Sequence, residues 1–359
     1  MPRSRQAPLA VAAVLASLLA LAGCGGQSGG QRSHSQSQTP TQPRTQPQTQ
    51  LQTGRMFAPT SFWNQPLGSD QPLDPRSQAL VAGLLAQVKS EQASHSGPWI
   101  NVSNYGVPIV TVGANQATVS VKLIHAPDPA LSRAWRSVPL PSSAQPSTGH
   151  DRYMVVWQPS TDRMWEFWQL RRSGSTWEAS WGGAMEHVSQ NKGVYGADAW
   201  PGAKPYWGAT ATSFPLAGGA MTIAELKRGQ INHVLALSIP NVRAGEFAAP
   251  AQRTDGNDPS ANALPEGARL RLDPRLDLAK LNMPRLTRMI AEAAQRYGIV
   301  IRDYSSIIAF DAQDPQPGQA NPYAGPTGIY GGMFPSELLA SFPWNHLQVV
   351  RMQLQRSAG

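Results

Sequence analysis

Apolar residues recur three and four positions apart in two stretches of the chain. After Asp74-Pro75, a natural N-cap and first-turn proline, Leu80, Val81, Leu84, Leu85 and Val88 share one helical face. After Pro284, Leu286, Met289, Ile290, Ala293, Ala294 and Tyr297 do the same until Gly298 stops the helix. Thr222 and Glu225 read as a capping box on a short helix that ends at Gly229. Elsewhere, short alternating or β-branched runs are punctuated by Gly, Pro and Ser. They cover residues 107–112, 118–124, 153–158, 164–170, 176–181, 233–239, 268–272 and 299–304. Strands at this density, without βα alternation, predict a mainly β fold. The expected architecture is an antiparallel, jelly-roll-like β-sandwich with two or three peripheral helices. No internal repeat of a propeller's length is present.

The N-terminus follows a different pattern. Arg3 and Arg5 precede an apolar run over residues 9–21, too short for a comfortable membrane span and laid out as an export signal. The run closes on Leu21-Ala22-Gly23-Cys24, which resembles the bacterial lipoprotein box. That resemblance implies acylation of Cys24 and a lipid bilayer as partner. It places the protein on the extracytoplasmic face of the cell membrane. A plain secretory signal with an incidental cysteine is the alternative. Residues 25–54 are rich in Gln, Ser, Thr, Pro and Gly and read as a disordered tether. The expected organisation is a signal and lipobox over 1–24, the tether over 25–54, and one β-rich extracellular domain over 55–359.

Composition narrows the function. The 359 residues include 11 Trp, enough to fill a core and leave aromatic faces over. The single Cys excludes a disulfide framework and a multi-Cys zinc site. The net charge of +8 is spread out: four Arg and no acid lie in residues 1–54, leaving 26 basic against 22 acidic residues. No basic cluster is interleaved with aromatics, so nucleic acid is not an expected partner. No phosphate loop, nucleophile elbow or cysteine nucleophile appears, and no cofactor or metal is implied.

The most informative stretch runs from Asp151 to Leu170 and reads as a hairpin turning at residues 159–162. Pairing Gln158 with Arg163 puts Val155 opposite Glu166 and Tyr153 opposite Trp168. One face then holds Tyr153, Val155, Trp157, Met164, Glu166 and Trp168. The other, with Met154, Val156, Trp165 and Phe167, makes the better core. A carboxylate among aromatic rings suits a sugar-binding sheet face, and partial burial would raise the pKa of Glu166 as a general acid requires. The alternative is a structural Glu166 paired to Arg152 or Arg171. Glycoside hydrolysis needs a second carboxylate roughly 5–9.5 Å away. Asp151, about 13 Å along the strand from Val155, is too far and is assigned to substrate binding. Asp255, in a loop with Arg253, is the candidate partner. His233 reads as a core histidine or a catalytic base. Tyr153, His233 and Arg253 together could serve a polysaccharide lyase. Glu186-His187 is a weak metal signal. His125, His150 and His346 read as isolated loop or surface residues.

Residues 151–304 also resemble a family of secreted, β-rich bacterial proteins of unestablished activity. The likeness rests on Asp151-Arg152 before a strand, Trp-Glu-Phe-Trp around Glu166, and Trp207-Gly-Ala-Thr-Ala-Thr before Gly218-Gly219. It continues with Gly229-Gln-Ile-Asn-His233, Pro250-Ala-Gln-Arg253, Gly267-Ala-Arg-Leu-Arg271 and Tyr297-Gly298-Ile-Val. The resemblance implies an extracellular β-rich unit with Asp151, Glu166, His233 and Arg253 at matching positions. The resulting expectation is a surface-anchored, carbohydrate-active protein, a glycoside hydrolase acting on a polysaccharide or cell-wall glycan. In it Glu166, Asp255, His233 and Arg253 are the catalytic candidates, and Tyr153, Trp157, Trp168 and Asp151 bind substrate. A non-catalytic glycan-binding lipoprotein, a lyase and a structural lipoprotein are the alternatives.

Overall fold

The computed structural model describes residues 55–316, 318 and 320–357. The export signal, the lipobox with Cys24 and the tether lie outside the described residues. The chain begins its described part with a loop in which Trp63 is buried and donates its Nε1–H to Gly193 O at 2.8 Å. Helix α1 (Ser77–Ala93) follows a turn in which Asp74 Oδ1 accepts from Arg76 N. The next elements are β1 (Trp99–Asn101), β2 (Val107–Thr111), β3 (Val121–Leu123) and helix α2 (Pro129–Ala134). Strands β4 (Met154–Gln158), β5 (Arg163–Trp168), β6 (Arg171–Ser173), β7 (Thr176–Ala179) and β8 (Trp181–Glu186) come next.

Helix α3 (Ile223–Arg228) leads to β9 (Leu235–Ile239), β10 (Val242–Ala248), β11 (Leu264–Glu266) and β12 (Arg269–Leu272). Helix α4 (Arg285–Arg296) precedes β13 (Ile299–Tyr304), β14 (Ala309–Asp311) and β15 (Gln313–Asp314). Helix α5 (Pro335–Ala340), β16 (Leu347–Val349) and β17 (Leu354–Arg356) complete the order. The fold is mainly β with a few helices, none of which among the described residues is long and apolar enough to cross a membrane.

Two large sheets organise the molecule. One has the order β15-β2-β4-β5-β8, the other β1-β14-β9-β13-β12-β16, and two three-stranded sheets flank them. The pairing is mixed where the sequence suggested a purely antiparallel sandwich. Pairs β2–β4, β1–β14 and β9–β13 are parallel. A parallel partner must arrive by a crossover rather than a tight turn, and alternation along one strand carries no record of that choice. Helix α4 is amphipathic as expected: Leu286, Met289, Ile290, Ala293 and Ala294 are buried, and Gly298 at φ +89° ends the chain's helical path. Thr222 Oγ1 caps α3 by accepting from Glu225 N, and Gly229 takes the left-handed conformation at its end.

The 158–163 hairpin forms in the expected register, with Val155 opposite Glu166, Val156 opposite Trp165 and Gln158 opposite Arg163. A short 3₁₀ turn (Pro159–Thr161) and Asp162 in the left-handed region close it. Both faces are covered, however. Trp165 and Phe167 pack against α2: Trp165 Nε1 donates to Ala134 O at 3.1 Å, and the rings of Trp135 and Phe167 lie 4.8 Å apart. The loops of residues 195–217 roof the opposite face, where Val155, Trp157 and Glu166 are all fully buried.

Candidate active-site cleft

One cavity of about 920 Å³ opens where the two large sheets end side by side. From the first sheet come Tyr153 just before β4, Trp168 at the end of β5 and Trp181 at the start of β8. From the second come Ser238 of β9 and Arg302, Asp303 and Tyr304 of β13, at the carboxyl ends of a parallel pair. Ligands commonly bind at such ends, where loops diverge and backbone groups are free. Loops at residues 125–128, 208–211 and 253–255 complete the wall.

A backbone irregularity sets the floor. Along β13, Ile301 pairs with Leu237 and Asp303 with Ser238, so Arg302 is an extra residue without a counterpart on β9. Regular strands send neighbouring side chains to opposite faces; a bulge re-aims them. Arg302 and Asp303 therefore both line the cleft. Arg302 is buried, ion-paired to Asp311 Oδ2 at 2.8 Å, and donates to Leu216 O at 3.0 Å.

Three carboxylates meet beside this bulge. One oxygen each from Asp255, Glu266 and Asp303 lies within 4.8 Å of the others. Asp255 is exposed to the cleft, Asp303 is half-buried and Glu266 is 0% exposed. Glu266 Oε2 accepts from Asp255 N at 3.2 Å, while Oε1 has no hydrogen-bond partner. Gly267 holds this corner: at φ +80° a Cβ there would lie 1.9 Å from Ala248 O, so the chain after Glu266 can turn only with glycine.

Loss of water pushes the Asp303 pKa up to about 8, with the charge of Asp255 adding to it. Burial, then Asp303 and Asp255, pushes Glu266 well above the carboxylate range. Burial also raises Asp255, against the pull of Arg253. Oxygens this close match the span of ligands around a hard cation such as Ca²⁺. The neighbouring guanidiniums of Arg253 and Arg302 argue instead for relief by a shared proton.

Arg253 is fixed by the loop it faces. Its Nε donates to Ser213 Oγ at 2.8 Å, and its Nη2 donates to Thr210 O at 2.7 Å and Gly208 O at 3.1 Å. Aromatic side chains form the walls. Trp168 donates its Nε1–H to Asp151 Oδ1 at 2.9 Å, and Trp181 donates to Tyr206 O at 3.1 Å. The rings of Trp181 and Tyr206 lie 6.1 Å apart. Tyr153 is buried but reaches the cleft, and burial followed by the charges of Asp303 and Asp151 raises its pKa.

The cleft thus gathers Asp151, Tyr153, Trp168, Arg253 and Asp255 from among the sequence candidates. Three candidates fall elsewhere. Glu166 is 0% exposed and takes backbone N–H bonds from Ala209 and Leu216, each at 2.8 Å. Burial raises its pKa to about 7 against the opposing pull of those bonds. It anchors the loop that forms one cleft wall and is out of reach of a ligand, because the sheet face that carries it is roofed. Trp157 is fully buried toward the hairpin end of β4, separated from the cleft residues Tyr153 and Trp168 by the pairs at Met154, Val155 and Val156.

His233 is 1% exposed; its Nε2 contacts Glu225 Oε1 at 2.8 Å and its Nδ1 meets Val234 O at 2.8 Å. Burial pulls the His233 pKa down, but the charge and hydrogen bond of Glu225 more than offset it. It staples α3 to the entry of β9, which is why that strand begins at Leu235 rather than His233. Neither expected partner of Glu166, Arg152 or Arg171, is its anchor: Arg171 pairs with Glu178 at 3.3 Å. Glu186 pairs with Arg163 at 3.3 Å, with His187 turned away in the left-handed region.

His125 and His150, read from the sequence as isolated, instead line the cleft. The residues that sequence reasoning missed are Glu266, Arg302, Asp303, Trp181 and Tyr206. The adjacent charges Arg302-Asp303, closing the otherwise apolar run Ile299-Val-Ile, were a usable signal. Comparison of the chain with protein-family models, with curated proteins and with solved structures gives no match.

Proposed function

We propose that the cleft belongs to a carbohydrate-active enzyme, a glycoside hydrolase whose working carboxylates are Asp303 and Asp255. The observation that carries this reading is the pairing of a half-buried, proton-retaining Asp303 with an exposed Asp255 between aromatic walls. Retaining glycosidases hold their two carboxyl groups about 5–5.5 Å apart, and the oxygens here lie within 4.8 Å. In this scheme Asp303 gives its proton to the glycosidic oxygen as the bond to the anomeric carbon breaks. Asp255, ionised most readily because it is exposed and faces Arg253, forms a bond to that carbon. Water then attacks the glycosyl ester, Asp303 takes its proton, and Asp255 leaves as carboxylate. Trp168, Trp181 and Tyr206 would stack on the apolar faces of sugar rings, and Asp151 would accept hydroxyl hydrogen bonds.

The lyase alternative keeps Tyr153 and Arg253 in the cleft but not His233, which is sealed against Glu225. Acylation of Cys24 and a tether would hold the enzyme at the outer face of the membrane. The test is hydrolysis of plant and cell-wall polysaccharides by the detergent-solubilised full chain, with Asp303→Asn and Asp255→Asn as controls. Release of reducing ends that both variants abolish supports the reading. Absence of release, or release unchanged in Asp303→Asn, overturns it. Transfer of labelled fatty acid to the chain, lost in Cys24→Ser, tests the anchor.

A further inference from the structure

The charge lining the cleft is lopsided. Asp128, Asp151, Asp255 and Asp311 face it beside the proton-retaining Asp303, against Arg253, Arg302 and the imidazoles of His125 and His150, and no lysine contributes to the lining. Both cations are already committed. Arg302 is matched to Asp311, and Arg253 is bound by Ser213 and two backbone carbonyls while standing beside the Asp255 carboxylate. A ligand carboxylate would enter without a free counter-charge and beside like charge. An ammonium group would meet Asp151 and Asp255 without needing any new partner. A low-dielectric cavity sharpens both effects relative to open water.

We infer that the cleft selects glycans bearing free amino groups, an amino-sugar polymer, and discriminates against uronates and phosphorylated sugars. This inference rests on the saccharide reading above and adds the substrate class. Asp151 is the specificity-determining residue at the wall. Its Oδ1 is held by Trp168 Nε1, so the carboxylate stays aligned beside the ring on which a sugar would stack.

The test is calorimetric binding to the full chain carrying Asp303→Asn, which blocks turnover. The probes are three tetrasaccharides of glucosamine, N-acetylglucosamine and galacturonic acid, at low and high salt. The glucosamine tetramer is expected to bind at least 10-fold more tightly than the galacturonate tetramer at low salt. The acetylated tetramer should fall between them, and the spread should contract as salt screens the field. Asp151→Asn, which still accepts from Trp168, should narrow the gap between the amine and its acetylated form. Tightest binding of the galacturonate or the acetylated tetramer overturns the charge selection while leaving the saccharide reading standing. Failure of all three to bind overturns both.

Discussion

Replacing Asp303 by Asn should stabilise the protein at neutral pH while abolishing the hydrolysis proposed for the cleft. Asp303 holds its proton to about pH 8 in the folded chain against 3.8 for an ordinary aspartate. Between those values the native state binds a proton that the unfolded state releases, so stability falls as pH rises through that window. At about 1.4 kcal/mol per pH unit, the full window corresponds to about 6 kcal/mol, of which about 4 kcal/mol has accrued by pH 7. Asp303 is only half-buried and shares its environment with Asp255, so solvent and neighbouring protons reduce the realised effect by roughly half. Asn removes the ionisation but keeps an oxygen that can accept from Ala211 N, now 3.4 Å from Oδ2.

At pH 7 the variant should therefore be more stable by about 2 kcal/mol, or a few degrees in Tm for a chain of this size. At pH 4 the two proteins should unfold together. Thermal unfolding of both from pH 4 to pH 9 makes the comparison, and kcat of the variant should fall by about 10²–10⁴-fold. A variant less stable than the parent at pH 7, or a difference that does not grow with pH, would refute the electrostatic account of this corner.

Three further outcomes follow from the same geometry. Glu166→Gln exchanges one acceptor oxygen for a donor facing a backbone N–H; it should cost about 1–3 kcal/mol and raise hydrogen exchange in residues 208–216 specifically. His233→Ala leaves the buried Glu225 without its partner and should cost about 3–5 kcal/mol at pH 6. Because the folded-state His233 pKa lies above 6.5, the wild-type contribution is complete below that pH and is lost on passing through the raised value; the variant's stability curve should lack this decline. Trp168→Ala should weaken oligosaccharide binding about 10-fold by titration, roughly 1.4 kcal/mol, with a far smaller change in Tm because Trp168 is only partly buried.

What could be read from the sequence was what local patterning determines. The two long helices follow from periodicity, the capped turn of α3 from Thr222 and the hairpin register from turn length, and the folded chain reproduces each, except that α1 begins at Ser77 after Arg76 and lacks the Asp74 cap. Register fixes which residues share a face but not whether that face is open. Glu166 and Trp157 share theirs as expected, yet residues far along the chain, Tyr195 to Leu216, decided that it would be roofed. A carboxylate on a β-strand therefore has two quite different fates that depend on a loop with no periodic signature of its own.

The cleft was less legible for a second reason. Its floor comes from β13 and the 253–255 loop, with Glu266 of β11 against their carboxylates, and parallel pairing and a bulge set that arrangement. Alternation would place Arg302 and Asp303 on opposite faces, and only the extra residue at Arg302 turns both into one cavity. The mismatch itself is informative. A strand reading Ile-Val-Ile-Arg-Asp-Tyr spends its last three positions on side chains that a buried sheet has no packing use for, and the folded chain sets the Asp303 carboxyl against those of Asp255 and Glu266. Such an arrangement costs stability, and the pH dependence expected of Asp303 measures that cost. A region that keeps like charges crowded together, inside a protein that pairs buried Arg302 with Asp311 and His233 with Glu225, is better accounted for by chemistry than by folding.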